Sequence, residues 1–271
     1  MRLPANLLIG GTLVALVLGT AALSLVWTPH DATRIVVAMK FQPPSWSHPL
    51  GTDQLGRDVV SQLMVGARNS VAIALVAVLL GGGIGTALGL LAAAVGGWVE
   101  EVVMRLADFS FAFPALLFAI MLAAVFGPSL TNAVIAIAFI NIPVFARVAR
   151  ASAAQVWTRG YVLAAASAGR GRAAITWDHV IPNVLAPVTV QLTIEFAVGI
   201  LAEAALSYLG LGVQPPTPSW GRMLSEAQTL LYLAPQLAIW PGVCIMVAVL
   251  GFNLLGDGLR DLSDPMLRRA R

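Results

Sequence analysis

Residues 69–99 read NSVAIALVAVLLGGGIGTALGLLAAAVGGWV, without one Asp, Glu, Lys or Arg in the run. About 20 consecutive apolar residues are enough to cross the hydrocarbon layer as a helix. This stretch is therefore read as a membrane span, about Ser70 to Gly97. Within it Gly81, Gly85, Gly89, Ala93 and Gly97 recur every four residues. That spacing lays a strip of small side chains along one helix face, where a second backbone can approach closely. The cluster Gly81-Gly82-Gly83-Ile84-Gly85 is not read as a dinucleotide loop, because it lies inside an apolar run with no strand before it.

The rest of the chain has the same character. Of its 271 residues 58% are hydrophobic and only 11% charged, against about 25% charged in ordinary soluble domains. Mean hydropathy is +0.85. With 16 Lys+Arg and 13 Asp+Glu the formal net charge is +3, too few charges to clothe a soluble domain of this size. Composition points to a membrane protein and excludes a soluble enzyme, a disulfide scaffold and a disordered chain. The single cysteine, Cys244, allows neither an internal disulfide nor a cysteine metal cluster. The basic residues are spread thinly between apolar runs, a pattern of membrane topology and not of nucleic-acid binding.

Working outward, five more spans are expected. The first is Leu7 to Trp27, too long in its apolar core for a cleaved signal and so read as a retained helix. Residues 109–146 are again uncharged, and the turn signal Gly127-Pro128-Ser129-Leu130-Thr131-Asn132 divides them. Span three is then about Leu106 to Phe126, and span four about Leu130 to Ala146. Spans five and six follow at about Val184 to Leu209 and Leu231 to Leu255. Six spans place both ends on one side. That side holds eleven basic residues: Arg2, Arg105, Arg147, Arg150, Arg159, Arg170, Arg172, Arg260, Arg268, Arg269 and Arg271. The other holds five: Arg34, Lys40, Arg57, Arg68 and Arg222. The bias expects both termini in the cytoplasm. The segment Thr28 to Asn69 and the loop from Gly210 to about Thr229 are then outside. Residues 1–69 are read as an N-terminal helix with an extracytoplasmic segment, and residues 70–271 as a core of five spans.

Several chemistries lack their residues. The only lysine, Lys40, follows Met39, so no phosphate-binding Walker loop exists. The three histidines, His30, His48 and His179, are far apart in the chain and lack ligand spacing, so no metal site is expected. Two carboxylates fall in or near span five. A charge at the bilayer centre costs about 2.5–3.5 kcal/mol on insertion scales, so each must face protein or water or be protonated. For Glu195 two readings stand: a polar wall of a translocation path, or a hydrogen bond that fixes helix contacts. For Glu203, near the outer end, the structural reading is preferred. In the outer segment, Pro43, Pro44 and Pro49 keep the first half extended. Val59 to Val65 is read as a short amphipathic piece parallel to the membrane, either a docking surface or a packed rim.

Residues 150–183 form the longest cytoplasmic loop. Tyr161 to Ala168 is alanine-rich and should be helical, with Gly169 as its C-cap. After Arg170-Gly171-Arg172 a second short amphipathic stretch, Ala173 to Ile181, runs to Pro182. The expected result is a small helical knob offered to a soluble partner.

The segment Tyr161 to Gly169, followed by His179-Val180-Ile181-Pro182-Asn183, resembles the EAA loop of ABC-importer permeases. The runs His48 to Asp58, Gly66 to Arg68, Glu203 to Gly212, Pro215 to Gly221 and Phe252 to Asp261 resemble, in the same order, the permeases of the dipeptide/oligopeptide/nickel importers. Among these the chain is most similar to the C-type subunit. The resemblance implies an all-α, polytopic, type I importer permease of six transmembrane helices in a bacterial inner membrane. It implies half of a translocation pathway and no catalytic residue in this chain. It also implies a homologous B-type permease, ATPase subunits carrying ATP and Mg, and an extracytoplasmic solute-binding protein. On that basis Tyr161, Leu163, Ala164, Ala165, Gly169 and Pro182 would contact or shape the ATPase contact. Dipeptides, longer peptides, nickel chelates and haem all fall within the group's range. One position departs: the family's usual glutamate is Leu163 here, so docking would rest on apolar contacts of Leu163, Ala164 and Ala165 or on the partner permease. Two other classes remain as rivals, an ion-gradient transporter using Glu195 and a scaffold subunit without a pathway.

Overall fold

The computed structural model describes residues 4–263. Arg2, Arg268, Arg269 and Arg271 of the charge count lie outside the described residues. Among the described residues ten α-helices follow one another: α1 Ala5–Leu23, α2 Val59–Val95, α3 Gly97–Ala112, α4 Ala115–Phe126, α5 Leu130–Trp157, α6 Gly160–Ser167, α7 Arg172–Ile175, α8 Ile181–Tyr208, α9 Trp220–Ala227 and α10 Gln236–Ser263. Among the described residues no strand longer than an isolated bridge, Thr52 to Asp58, is formed. Five helices are long and apolar enough to cross a membrane, and a sixth crossing is made if α3 and α4 count as one bent span.

The glycine strip decides how the two central helices meet. A Cβ on Gly81, Gly85 or Gly89 would lie 2.4, 2.3 and 2.3 Å from the backbone oxygens of Ala138, Ile142 and Ala146, respectively. Side chains are therefore excluded at three successive turns of α2, and its backbone rests directly on α5. The partners advance by four residues on both helices, so α2 and α5 run parallel. Gly97 does not extend the strip. α2 ends at Val95, and Gly96 and Gly97, at φ of 70° and 57°, turn the chain into α3.

Parallel packing has a topological consequence. The chain leaves α2 at one end of the bundle and must begin α5 at the other, so α3 and α4 together make the return crossing. They do so with an 82° bend. The expected straight span from Leu106 to Phe126 is thus corrected. α4 has 12 residues, about 18 Å at 1.5 Å per residue, well short of the roughly 30 Å core. Pro114 ends the helical path, because the residue before a proline is driven to extended backbone, and Phe113 sits at ψ 118°. α3 carries Glu100, Glu101, Arg105 and Asp108. Its Glu100 accepts from Arg150 Nε at 2.6 Å, and Asp108 pairs with Arg147.

The other crossings alternate. α1 and α10 are antiparallel: Gly10 abuts Leu254 and Leu255, Gly251 abuts Leu13 and Val14, and Gly258 abuts Leu7. α8 and α10 are antiparallel as well, with Gly256 against Thr193 and the rings of Phe196 and Phe252 4.2 Å apart. The start of α1 and the end of α10 therefore lie at the same end of the bundle as the loop joining α5 to α8.

Two expected boundaries change. Val59 to Val65 is not a separate surface piece. It forms the first turns of the 37-residue α2, about 55 Å long, so a division at residue 69 falls inside a helix. Asp58 caps that helix, its carboxylate accepting from Ser61 N at 2.8 Å. The second loop stretch does not stop at Pro182 either, as described below.

The seam has a direct test. Gly85→Ala and Gly89→Ala each force a methyl into a backbone carbonyl, whereas Gly83 has nothing within 4 Å of an added Cβ. Overpacking of this kind costs about 1–3 kcal/mol. Thermal unfolding in detergent should show lowered midpoints for Gly85→Ala and Gly89→Ala and an unchanged one for Gly83→Ala. Equal midpoints would remove the close seam.

Candidate functional site

The loop between α5 and α8 is built outward from one buried valine. α6 places Val162 at 0% exposure among Ala153, Val156, Ile175 and Val180. The same helix leaves Tyr161 45% and Leu163 56% exposed, with Ala164 exposed beside them. α5, α7 and the turn Thr176–Val180 before α8 thus hold α6 by one face and present the other. Ala165 lies on the inner side, packed against the cluster around Val162. Of the expected contact set, Leu163 and Ala164 are exposed with Tyr161, whereas Ala165 is half-buried.

Motif residues distant in sequence meet around Tyr161. Its ring meets the edge of His179 at 5.7 Å, and its hydroxyl accepts from Asn183 Nδ2 at 3.3 Å. Gly169 adopts φ 83°, a left-handed geometry that turns the chain away from α6. Arg170 then pairs with Asp178 at 2.5 Å. Arg172 Nη1 donates to the carbonyl oxygens of Ala94 at 3.1 Å and Val95 at 2.8 Å, the last carbonyls of α2. A cation there satisfies unpaired acceptors and complements the helix dipole.

α7 passes into a π-helical turn, Thr176–Val180, and then into α8 without a break. Pro182 lies in the first turn of α8, where its missing N–H falls beside the wider π turn. Proline here marks a change of helical pitch and not a stop. The loop and α8 are therefore one continuous rod whose lower end carries the exposed knob.

On α8, Glu195 is half-buried and accepts from Gln191 Nε2 at 2.8 Å. Glu203 is at 0% exposure and accepts from Ser207 Oγ at 2.7 Å, with Ser70 and Ser219 beside it. Ser207 Oγ in turn accepts from Val213 N at 3.1 Å. Gly221 packs on the backbone of Ala204, and Trp220 Nε1 donates to Leu63 O at 3.1 Å. Glu203 thus belongs to a clasp that fixes α9 and the loop after α8 to α8 and α2.

The outer segment is likewise held by ions. Asp53 accepts from Arg57 Nε at 2.6 Å and Gln62 Nε2 at 3.0 Å, and Arg57 Nη2 reaches Glu226 at 2.5 Å. Burial alone would lower the pKa of Arg57, but the carboxylates of Asp53 and Glu226 overcome it and hold the guanidinium above its ordinary value. The histidines also depart from expectation. His30 and His48, separate in sequence, meet with ring centroids 4.5 Å apart at a tilt of 31° beside Asp58.

Residues 85–269 match the family described as "Binding-protein-dependent transport system inner membrane component". The chain is 43% identical over 229 residues to the dipeptide transport system permease protein DppC of Alkalihalophilus pseudofirmus, covering 84% of this chain and 75% of that protein. It is 40% identical over 259 residues to the glutathione transport system permease protein GsiD of Pectobacterium atrosepticum, covering 95% and 86%. The solved MetNI methionine ABC transporter, in an inward-facing conformation, shares the fold. Its TM-score is 0.62 at 17% identity, over 75% of this chain and 97% of that one.

Gly169→Ala should loosen the knob while Gly171→Ala leaves it intact, because Gly171 sits at φ −68°. A left-handed alanine costs about 1–2 kcal/mol. Amide exchange in residues 160–168 should therefore quicken about 5–30-fold in the first variant. Equal exchange in both variants would mean that the cap does not hold α6.

Taken together, the parallel glycine seam, the motif-built loop and the match over residues 85–269 show that this chain belongs to the binding-protein-dependent transport system inner membrane component family, as a multi-pass permease subunit of an ABC importer.

Proposed function

We propose that this permease forms half of a pathway for short peptides, paired with a homologous B-type permease and fed by an extracytoplasmic solute-binding protein. The relatives' names support the solute class: dipeptide transport for DppC and glutathione, a tripeptide, for GsiD. ATP and Mg belong to the ATPase subunits.

The observation that carries the coupling role is α6. Tyr161 and Leu163 are exposed on a helix whose opposite face is fully buried. An apolar knob exposed to water at the end of a rigid rod needs a partner surface, and an ATPase cleft is that partner. Leu163 stands where the EAA pattern that the loop resembles has glutamate, so the contact is made by shape and apolar area and not by an ion pair. Gly169 and Pro182 shape the loop at its two ends, and Ala165 ties it to the bundle. Glu195 faces the pathway. It is a carboxylate in a span that the chain's own packing leaves half-open, and such a group needs water or a second protein surface. Both termini and residues 150–183 lie in the cytoplasm.

Transport requires that nucleotide change the relative free energy of inward-open and outward-open states. A cysteine at Leu163 in a Cys244→Ser background should cross-link to an ATPase subunit, with a yield that changes when nucleotide is added. No cross-link at Leu163 or Ala164, with transport persisting after the ATPases are deleted, would overturn the coupling assignment. For the orientation, an impermeant thiol reagent applied to intact cells should label a cysteine at exposed Ser45 and spare one at Gly171. The reverse pattern would invert the topology.

A further inference from the structure

The outer segment brings two imidazoles and a carboxylate to one point. His30 follows the end of α1, His48 lies in the turn after Pro43 and Pro44, and Asp58 caps α2. One ligand atom from each lies within 4.8 Å of the others. His48 Nδ1 is 2.9 Å from Asp58 Oδ1, and His30 Nδ1 is 3.9 Å from the same oxygen. Asp58 Oδ2 is already engaged, accepting from Ser61 N at 2.8 Å and Ser61 Oγ at 2.7 Å. Asp58 and His48 are buried, while the His30 side chain is 42% exposed.

We propose that His30, His48 and Asp58 form a binding site for a zinc-like divalent transition-metal ion that fastens the outer segment to the start of α2. Three features carry this. The donor set of two imidazoles and one carboxylate is one that zinc accepts, with the fourth position left for water. The ring of His30 makes no hydrogen bond among the described residues, yet it packs at a tilt against His48 with its Nδ1 3.9 Å from Asp58 Oδ1. That leaves a nitrogen lone pair unused beside a buried carboxylate. The spacing is also close to a coordination shell. Ligands at about 2.0–2.1 Å from a tetrahedral ion stand roughly 3.4 Å apart, between the two observed separations. Small side-chain rotations would open the shorter contact and close the longer one. Ser61 holds the second carboxylate oxygen, which orients the ligand as outer partners do in metal sites.

Access and charge agree. His30 borders an open groove lined by Thr28, Asp31 and Arg68, so the fourth position faces solvent. On binding, the ion takes the place of the proton between His48 Nδ1 and Asp58 Oδ1, and the neutral His48 ring carries its one proton on Nε2 instead, so that a dication rests on one anionic and two neutral ligands. Imidazole donors favour zinc, copper or nickel over magnesium or calcium. The site lies in the outer clasp and is independent of the peptide reading and of the ATPase contact.

The test uses the assembled transporter, purified with a histidine-free tag in nanodiscs and incubated with zinc chloride. Zinc content is measured by mass spectrometry after desalting. The wild type should retain one more zinc per transporter than His30→Ala, and zinc should raise the unfolding midpoint of the wild type alone. His30→Ala is a safe variant, since that half-exposed ring holds no hydrogen bond. Cobalt should give a tetrahedral visible spectrum in the wild type that His30→Ala loses, and magnesium at equal concentration should not displace it. His179→Ala should retain zinc like the wild type. Equal zinc content in wild type and His30→Ala, with equal midpoints, would overturn the site and leave a His48–Asp58 hydrogen bond with the His30 ring beside it.

Discussion

Everything in this bundle is referred to the line where the backbone of α2 lies on the backbone of α5. Three glycines, one per helical turn, remove every side chain from that line. Between helices in lipid there is little hydrophobic gain to be had, and close van der Waals approach takes its place. The parallel direction of the contact then obliges α3 and α4 to return across the bundle. It sets the ends of α1 and α10 beside the loop that follows α5. A hydrophobic seam of leucines would have allowed sliding, whereas glycine against carbonyl oxygen fixes the register turn by turn.

Polar residues complete the work at the two ends of the seam. At one end Arg172 bonds the last carbonyls of α2, and Arg150 and Arg147 bind α3 to α5. At the other end Asp53, Arg57, Glu226 and the Glu203–Ser207 pair lock the outer segment, α9 and the loop before it. Removing one partner of a buried pair leaves the other uncompensated and costs several kcal/mol. Such groups therefore specify a single arrangement of chain segments whose apolar surfaces alone are interchangeable.

Much of this was legible before the fold was seen. The absence of charge over residues 69–99 marked α2, and the four-residue period of Gly81, Gly85 and Gly89 marked its packing face, because both are local properties of one helix. The alanine run before Gly169 marked α6 for the same reason. What escaped was non-local or a matter of pitch. Phe113-Pro114 lies inside an uncharged run, so hydropathy could not separate α4 from the charged α3 that bends away from it. Val59 to Val65, with Ser61 and Gln62 among apolar residues, reads as an amphipathic surface piece, yet it is buried against α9 and continues into α2. Pro182 read as a stop because a π turn that accommodates it leaves no compositional mark. His30 and His48 looked unrelated because seventeen intervening residues fold back upon themselves. Ala165 faces inward only because Val162, three residues earlier, chooses the buried side.

These features together suggest how a push on a soluble knob would reach the membrane. α6 touches the bundle through Val162, which packs on Ala153 and Val156 of α5 and on Ile175 and Val180 of the rod leading into α8. Arg172, on the same rod, holds α2. Force applied at Tyr161 and Leu163 is thus delivered to α2, α5 and α8 at once. The α2–α5 seam is too closely packed to shear, so those two helices move as one body. α8 differs. It enters the bundle through a π turn, a place where helical pitch changes, and carries Pro187 further along. On the coupling role proposed above, relative motion would be concentrated between α8, which carries Glu195, and the α2–α5 pair. If Glu195 lines the pathway as proposed, a wall that shifts against a rigid pair would let a permease half alternate between two openings.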